Sequence, residues 1–183
     1  KPFFSLSNKD AGQNTQAKIN KVRNFLLKNK AEYLFVTAPE NVAWILNIRG
    51  YDSEFSPIPN ARLLINSKGN VDLFSQSKKF IKIKKNFSKK IKFHHEHKIE
   101  KKLRNLWKNN IWLDSLSCSV HYKSLLAKNN RIIQKIDPIY FFKSIKNPTE
   151  IKNMKKSHML DGVALTKFLF WLKKNFRKKK ITE

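Results

Sequence analysis

Residues 33–50 read YLFVTAPENVAWILNIRG, and the order of residue types in that stretch decides the fold. Tyr33-Leu34-Phe35-Val36-Thr37 is a β-rich run without polar alternation, the pattern of a strand covered on both faces. Ala38-Pro39-Glu40 ends it with a βα turn, because Pro suits the first turn of a helix and not a ladder. Val42, Trp44, Ile45 and Leu46 then carry a helix as far as Gly50.

Upstream, Ile19, Val22, Phe25 and Leu26 recur at helical spacing after Gly12 and Asn14-Thr15, with Lys18, Lys21, Arg23 and Asn24 on the other side. An amphipathic helix is expected there. Downstream, Pro57 and Pro59 make residues 51–60 a loop. Arg62-Leu63-Leu64-Ile65 and Val71-Asp72-Leu73-Phe74 flank Ser67-Lys68-Gly69-Asn70, a hairpin signal. Residues 78–92 alternate Phe or Ile with Lys and are expected to supply a solvated strand or two. Ile99, Leu103, Leu106 and Trp107 predict a helix, Ile111 to Asp114 a strand, Val120 to Leu126 a short helix capped by Ser119, and Arg131 to Gln134 a last strand. Strands alternating with helices imply an α/β fold built on a mixed sheet.

The final segment differs in kind. Asn147-Pro148-Thr149-Glu150 is the arrangement of a capping box with Pro at the first helical position. The long helix it opens carries an apolar stripe of Ile151, Met154, His158, Leu165, Phe168, Leu169 and Leu172, reaching about Asn175. A boundary therefore falls near Lys146-Asn147, giving a domain at 1–146 and the start of another at 147–183. The stripe is expected to lie exposed or against a neighbouring copy. Both chain ends are read as cuts.

The chain has 183 residues, 40% of them hydrophobic and 14 of them Phe, enough to fill a core. The formal charge is +26, which invites a nucleic-acid reading through counterion release. The basic residues are nearly all Lys, however, with Arg only at 23, 49, 62, 104, 131 and 177, and they occur in every segment. Planar Arg forks are the usual readers of phosphates and bases. Lys, Asn, Ile and Phe share A/T-rich codons, so genome composition accounts for the charge, and nucleic acid stays as the alternative partner. No apolar run approaches the ~20 residues of a spanning helix, so a soluble, cytoplasmic chain with no membrane partner is expected.

Gly occurs only at 12, 50, 69 and 162, which excludes the glycine-rich nucleotide loops. Cys118 is the only cysteine, so no internal disulfide can form. His94, His95 and His97 with Glu96 are metal-ligand types, yet an extended segment sends His94 and His95 to opposite faces. Cys118 and His121 stand three apart, but a nucleophile also needs a low pKa and an oriented base; a buried Cys beside a surface His is expected. His158 reads as a packed histidine. No catalytic centre and no metal site emerges from these residues.

Three stretches together carry a resemblance. Val36 to Gly50, followed by Asp52 and Pro57, resembles the signature of the second domain of three-domain Xaa-Pro aminopeptidases (aminopeptidase P). Ile145-Lys146-Asn147 leading through Glu150-Ile151, Ser157-His158 and Asp161 to Leu165 is similar to that family's junction and first catalytic-domain helix. Ala11-Gly12 matches the usual entry to the domain, and Ile181-Thr182-Glu183 resembles the lead-in to the next catalytic helix. The resemblance implies a creatinase-N-like mixed sheet with helices on both faces. It implies a parent enzyme that removes an N-terminal residue preceding proline, using two divalent metals, commonly manganese, held by a pita-bread catalytic domain. The ligands would lie beyond residue 183, so this chain is expected to be inactive alone and to help shape the substrate cleft. Its implied partners are that catalytic domain, proline-containing peptides through it, and a second copy in a homodimer. Prolidase and creatinase relatives are the alternative parents. Arg49 and Asp52, a charged pair at a helix exit, are the candidates for a cleft wall or interface, against a local ion pair.

Overall fold

The computed structural model describes residues 1–178 and Thr182; Ile181 and Glu183 of the expected lead-in lie outside the described residues. The chain divides into two compact units, Lys1–Ile145 and Lys146–Glu183.

The first unit is built on a six-stranded sheet in the order β6-β5-β4-β2-β7-β8. Its strands are β2 (Tyr33–Val36), β4 (Arg62–Asn66), β5 (Val71–Ser75), β6 (Ile91–His95), β7 (Asn110–Leu113) and β8 (Arg131–Gln134). Only β4 runs against the rest, pairing antiparallel with β2 and β5, while β2–β7, β7–β8 and β5–β6 are parallel. A second, two-stranded sheet pairs β1 (Phe4–Ser5) with β3 (Ile48–Arg49).

Two-residue periodicity divides the core between the faces of the sheet. Leu34, Val36, Leu63, Ile65, Leu73 and Trp112 join one buried cluster, and Phe35, Leu64, Phe74, Ile111 and Leu113 the other. The first cluster is closed by α2 (Thr15–Lys28), α3 (Pro39–Leu46) and α6 (Pro138–Ser144) through Ile19, Val22, Leu26, Val42, Ile45 and Ile139. The second is closed by α4 (Ile99–Arg104) and α5 (Val120–Ala127) through Ile99, Leu103 and Leu126. Helices thus cover both faces. A short α1 (Asn8–Ala11) leads in, capped by Ser7 and ended by Gly12 at φ 69°. Leu34 and Leu63 are completely buried, and truncating either to Ala would cost about 2–5 kcal/mol.

Four expectations are corrected. Residues 78–92 do not form a solvated strand: 3-10 turns at Ser77–Phe80 and Lys84–Asn86 precede β6. Phe80 and Ile83 stand three apart, a spacing that tight turns bring to one side, so both are buried while Ile81 stays exposed. The helix begun at Ile99 stops at Arg104; Leu106 is buried beyond it, whereas Trp107 is exposed and Lys108 turns the chain at φ 53°. The helix α6 was missed, although Asp137-Pro138 repeats the cap-and-proline signal of Asn147-Pro148. Lys18 leaves the polar side of α2 and is 1% exposed.

The second unit is described by itself. It holds α7 (Pro148–Asn175), opened by a complete capping box in which Glu150 N–H donates to Asn147 Oδ1 and Asn147 N–H to Glu150 Oε2, each at 2.9 Å. Residues 151–171 are all exposed. His158 is among them.

Candidate functional site at the carboxyl edge of the sheet

The strands β2, β5, β6, β7 and β8 all point the same way, so their carboxyl ends share one edge. β4 starts at that edge, with Leu63 opposite Val36. Loops at this edge are where open α/β sheets build their sites.

Arg49 does not reach Asp52. Its Nη1 donates to Ala43 O at 3.1 Å and Ile48 O at 2.9 Å, and burial pushes the guanidinium pKa down. Ala43 lies at the end of α3, where the last carbonyls have no partner within the helix and cations are favoured. Lys18 serves the same end, donating from Nζ to Trp44 O at 2.9 Å and to Asn47 Oδ1 at 2.7 Å, with the ammonium 4.2 Å from the Trp44 ring centroid. Thr15 Oγ1 donates to Leu46 O at 3.1 Å, and Asn47, left-handed at φ 51°, donates from Nδ2 to Gln13 O at 2.8 Å. Residues 42–50 thus spell a helix, its polar closure and its exit.

Gly50 is required by close approach. A Cβ there would lie 2.9 Å from Pro59 Cα, 3.1 Å from Ile58 O and 3.1 Å from Phe3 Cδ1. The loop 51–60 closes over it, with Gly50 N–H donating to Pro57 O at 3.2 Å. Asp52 pins the far end, accepting Asn60 N–H at 2.8 Å and pairing with Lys79 Nζ. Asn60 O in turn accepts Ser75 Oγ at 2.7 Å, fastening the loop to the end of β5. A polar cavity of about 160 Å³ lies among Asp52, Asn60, Ser75, Gln76, Lys79 and Glu96. The local ion pair between Arg49 and Asp52 does not form among the described residues. Arg49 instead closes the end of α3, while Asp52 holds the loop, whose tip residue Phe55 is 90% exposed.

Two carboxylates at this edge escaped the sequence reading. Asp114 follows β7 and Asp137 caps α6, and they are 3% and 2% exposed. Asp114 accepts Leu116 N–H at Oδ1 (2.9 Å) and Asp137 N–H at Oδ2 (3.0 Å). Asp137 accepts Ile139 N–H at 2.9 Å and Asn41 Nδ2 at 2.8 Å, while Lys143 Nζ donates to Asn41 Oδ1 at 2.9 Å. Burial pushes the Asp137 carboxyl up to about 6, with Asp114 adding to it and the Ile139 and Asn41 hydrogen bonds opposing. Tyr140 OH donates to Glu40 Oε1 at 2.6 Å, and its pKa is raised by burial and by that bond. The network ties α3, α6 and β7 together; its partners lie 23 to 102 residues apart in the chain, so only the Asp-Pro cap signal was there to be read.

The other chemistry-bearing residues stay apart. His94 Nε2 lies 2.6 Å from Asp72 Oδ1, whose other oxygen is 3.1 Å from Lys102 Nζ, and its ring stacks on Phe74. The rings of His95 and His97 lie 4.3 Å apart, tilted by 32°. Among the described residues no three of His, Cys, Asp or Glu converge as metal ligands, so these side chains do not fit a two-metal centre. Burial pushes the Cys118 thiol up to about 11, and His121 pairs with Glu100 at 2.9 Å instead of approaching it. A thiol held neutral beside no base is no nucleophile.

The family profile of the Creatinase/Prolidase N-terminal domain matches residues 1–150. Xaa-Pro aminopeptidase 1 of Dictyostelium discoideum is 32% identical over 179 residues, which is 97% of this chain and 28% of that protein. Xaa-Pro aminopeptidase ApepP of Drosophila melanogaster is 31% identical over 183 residues, 96% of this chain and 29% of that one. The chain therefore spans less than a third of these relatives. Among solved structures, the X-prolyl aminopeptidase of Caenorhabditis elegans, described as a cytosolic enzyme with a di-nuclear active site, shares the fold with a TM-score of 0.85 at 24% identity, over 98% of this chain and 30% of that one. The prolidase of Pyrococcus horikoshii follows the same fold with a TM-score of 0.60 at 21% identity, over 82% of this chain and 41% of that one. With its sheet, both helical layers and the 42–50 closure in place, this chain belongs to the Creatinase/Prolidase N-terminal domain family.

Proposed function

We propose that this chain is the noncatalytic portion, a middle creatinase-N-like domain and the first catalytic-domain helix, of a cytoplasmic Xaa-Pro aminopeptidase. The parent would release an N-terminal residue that precedes proline, using two divalent metals, with manganese as the expected ion. The observation that carries the reading is similarity over nearly the whole chain to proteins named Xaa-Pro aminopeptidase. The residues here present no ligand set for such metals among those described, so the two-metal chemistry is assigned to the parent's remaining polypeptide, this chain's main partner. The role given to the present chain is to wall the substrate cleft, with Arg49 at the exit of α3 and the loop that Asp52 holds as the contributing elements, and to take part in a homodimer.

The test is release of the first residue from an X-Pro peptide with added manganese. The 183-residue chain should give none, and the full-length parent should turn over. Robust turnover by the short chain alone would sink the noncatalytic assignment. Turnover by the parent that is unchanged when loop 51–60 is shortened would remove the cleft role.

A further inference from the structure

The crossover from β5 to β6 concentrates the charge of the chain. Eight of the fifteen residues 78–92 are Lys, against 39 Lys and Arg in 183 residues overall, and no carboxylate falls between Asp72 and Glu96. Codon bias raises lysine everywhere, but it does not sort the side chains of one segment by exposure. The fold does that. Phe80, Ile83 and Ile91 are buried in the first cluster, and Phe87 packs against it, so the two 3-10 turns are held down by their apolar residues. Lys82, Lys84, Lys85, Lys89 and Lys90 are left exposed. Lys79 pairs with Asp52, and among the described residues none of the other seven lysines pairs with a carboxylate. In their midst Ile81 is 72% exposed.

We propose that this crossover is a contact surface for an anionic lipid bilayer, with Lys82, Lys84, Lys85, Lys89 and Lys90 meeting headgroup phosphates and Ile81 entering the acyl boundary. Charge complementarity selects a polyanion, and the side-chain types select which one. Nucleic acid is read by Arg forks and stacked on aromatic rings. Residues 78–92 contain no Arg, and their two Phe rings are spent on the core. An ammonium is a point charge that serves any phosphate without fixed geometry, and surface clusters of about four to eight Lys or Arg are drawn to acidic lipids. An exposed aliphatic side chain adds to binding at the headgroup boundary by the apolar area it buries there. The expectation of no membrane partner rests on spanning segments, and no helix among the described residues is long and apolar enough to cross. Lying on a surface requires none. The buried anchors Phe80 and Ile83 also fix the backbone beforehand, which leaves little ordering to oppose binding.

Flotation of the 183-residue chain with phosphatidylcholine vesicles, with and without phosphatidylserine, tests the proposal. Binding should require phosphatidylserine and should weaken about tenfold or more in Lys82→Gln/Lys84→Gln/Lys85→Gln. The control removes the same charge at the opposite end of the sheet, beside β8, through Lys128→Gln/Arg131→Gln/Lys135→Gln. Five strand spacings, about 24 Å, separate β6 from β8, well beyond the screening length of about 8 Å at physiological salt, so this variant should lose less than about twofold. Equal losses in the two triple variants would overturn the proposal by making net charge the cause. Ile81→Ser keeps every charge and should weaken vesicle binding about threefold or more, with the melting of the free chain unchanged. Unaltered binding would overturn the lipid contact. Duplex and single-stranded RNA supply the other polyanions: affinity for either that equals the affinity for the vesicles and ignores Ile81→Ser would make nucleic acid the partner and overturn the lipid assignment. No X-Pro turnover enters the test, so its outcome is separate from the parent reading.

Discussion

At the amino edge of the sheet amide side chains sew the turns shut, whereas at the carboxyl edge carboxylates are buried and apolar side chains stand outside. Asn66 Oδ1 accepts Lys68 and Asn70 N–H at 3.0 Å, and Asn110 Nδ2 donates to Lys30 O at 3.0 Å while Glu32 accepts its N–H. Asn130 reaches Leu106 O and Leu126 O at 3.0 Å and accepts Asn109 N–H at 3.1 Å. The turn at Asn66 finds its partners within four residues, whereas Asn110 and Asn130 reach 21 to 80 residues along the chain to close the turns beside them. The opposite edge spends its polar groups inward, on Asp114, Asp137 and Asn41, and faces outward with Phe55, Leu116 and Ile136. The difference lies in what each edge does with its polar side chains: one uses amides to close turns, the other buries carboxylates and leaves apolar side chains exposed.

The comparison breaks most visibly in acid titration. An unfolded Asp titrates near 3.8 and folded Asp137 near 6, so the folded chain holds the extra proton between those values. Its stabilising contribution is full below about pH 4 and is lost as pH rises through 6, roughly 3 kcal/mol over that window at 1.36 kcal/mol per pH unit. Urea denaturation of Asp137→Asn should lack this fall, so the gap between variant and parent sequence should change with pH over that range and nowhere else. A gap independent of pH would show Asp137 to be ionised throughout.

Next in size is Gly50→Ala, which forces a methyl against the Pro59 backbone. It should cost about 2 kcal/mol in thermal unfolding, while Gly162→Ala on α7, whose added Cβ meets nothing within 4 Å, should stabilise slightly through helix propensity. Asn130→Ala strips two carbonyls and an N–H of their partner at the amino edge and should cost about 1–2 kcal/mol. Smallest is the effect of Phe55→Ser or Leu116→Ser on the 183-residue chain, within about 0.5 kcal/mol for exposed side chains. Losses at Asn130 with none at Leu116 would sharpen the contrast between the edges. A loss at Leu116 above 1.5 kcal/mol would erase it.

Much of the scaffold was legible because hydrophobic periodicity is local. The run at Tyr33–Val36, the helical spacing of Ile19 to Leu26, the hairpin around Gly69 and the cap at Asn147 are each written within a few residues. What escaped is nonlocal or ambiguous in period. Lys18 looked like solvated charge on α2 because its partners, Trp44 O and Asn47, lie 26 and 29 residues on. Residues 78–92 mixed a two-residue alternation with a three-residue one, and burial of Phe80 and Ile83 favoured the second. At the candidate site, Arg49 and Asp52 read as neighbours in charge, whereas Arg49 bonds to Ala43 O and Ile48 O and Asp52 to Asn60 N–H and Lys79. Asp114 and Asp137 could be found only once the sheet had brought their segments together.

Lys18 also makes the chain its own reporter. It is the one lysine classed as buried among the described residues, in a protein otherwise covered with exposed amines. An amine-acylating reagent should therefore modify almost every lysine at once and leave Lys18 untouched until α2 parts from the end of α3. The mass of a single peptide would then time that opening, with all the other lysines serving as the internal clock.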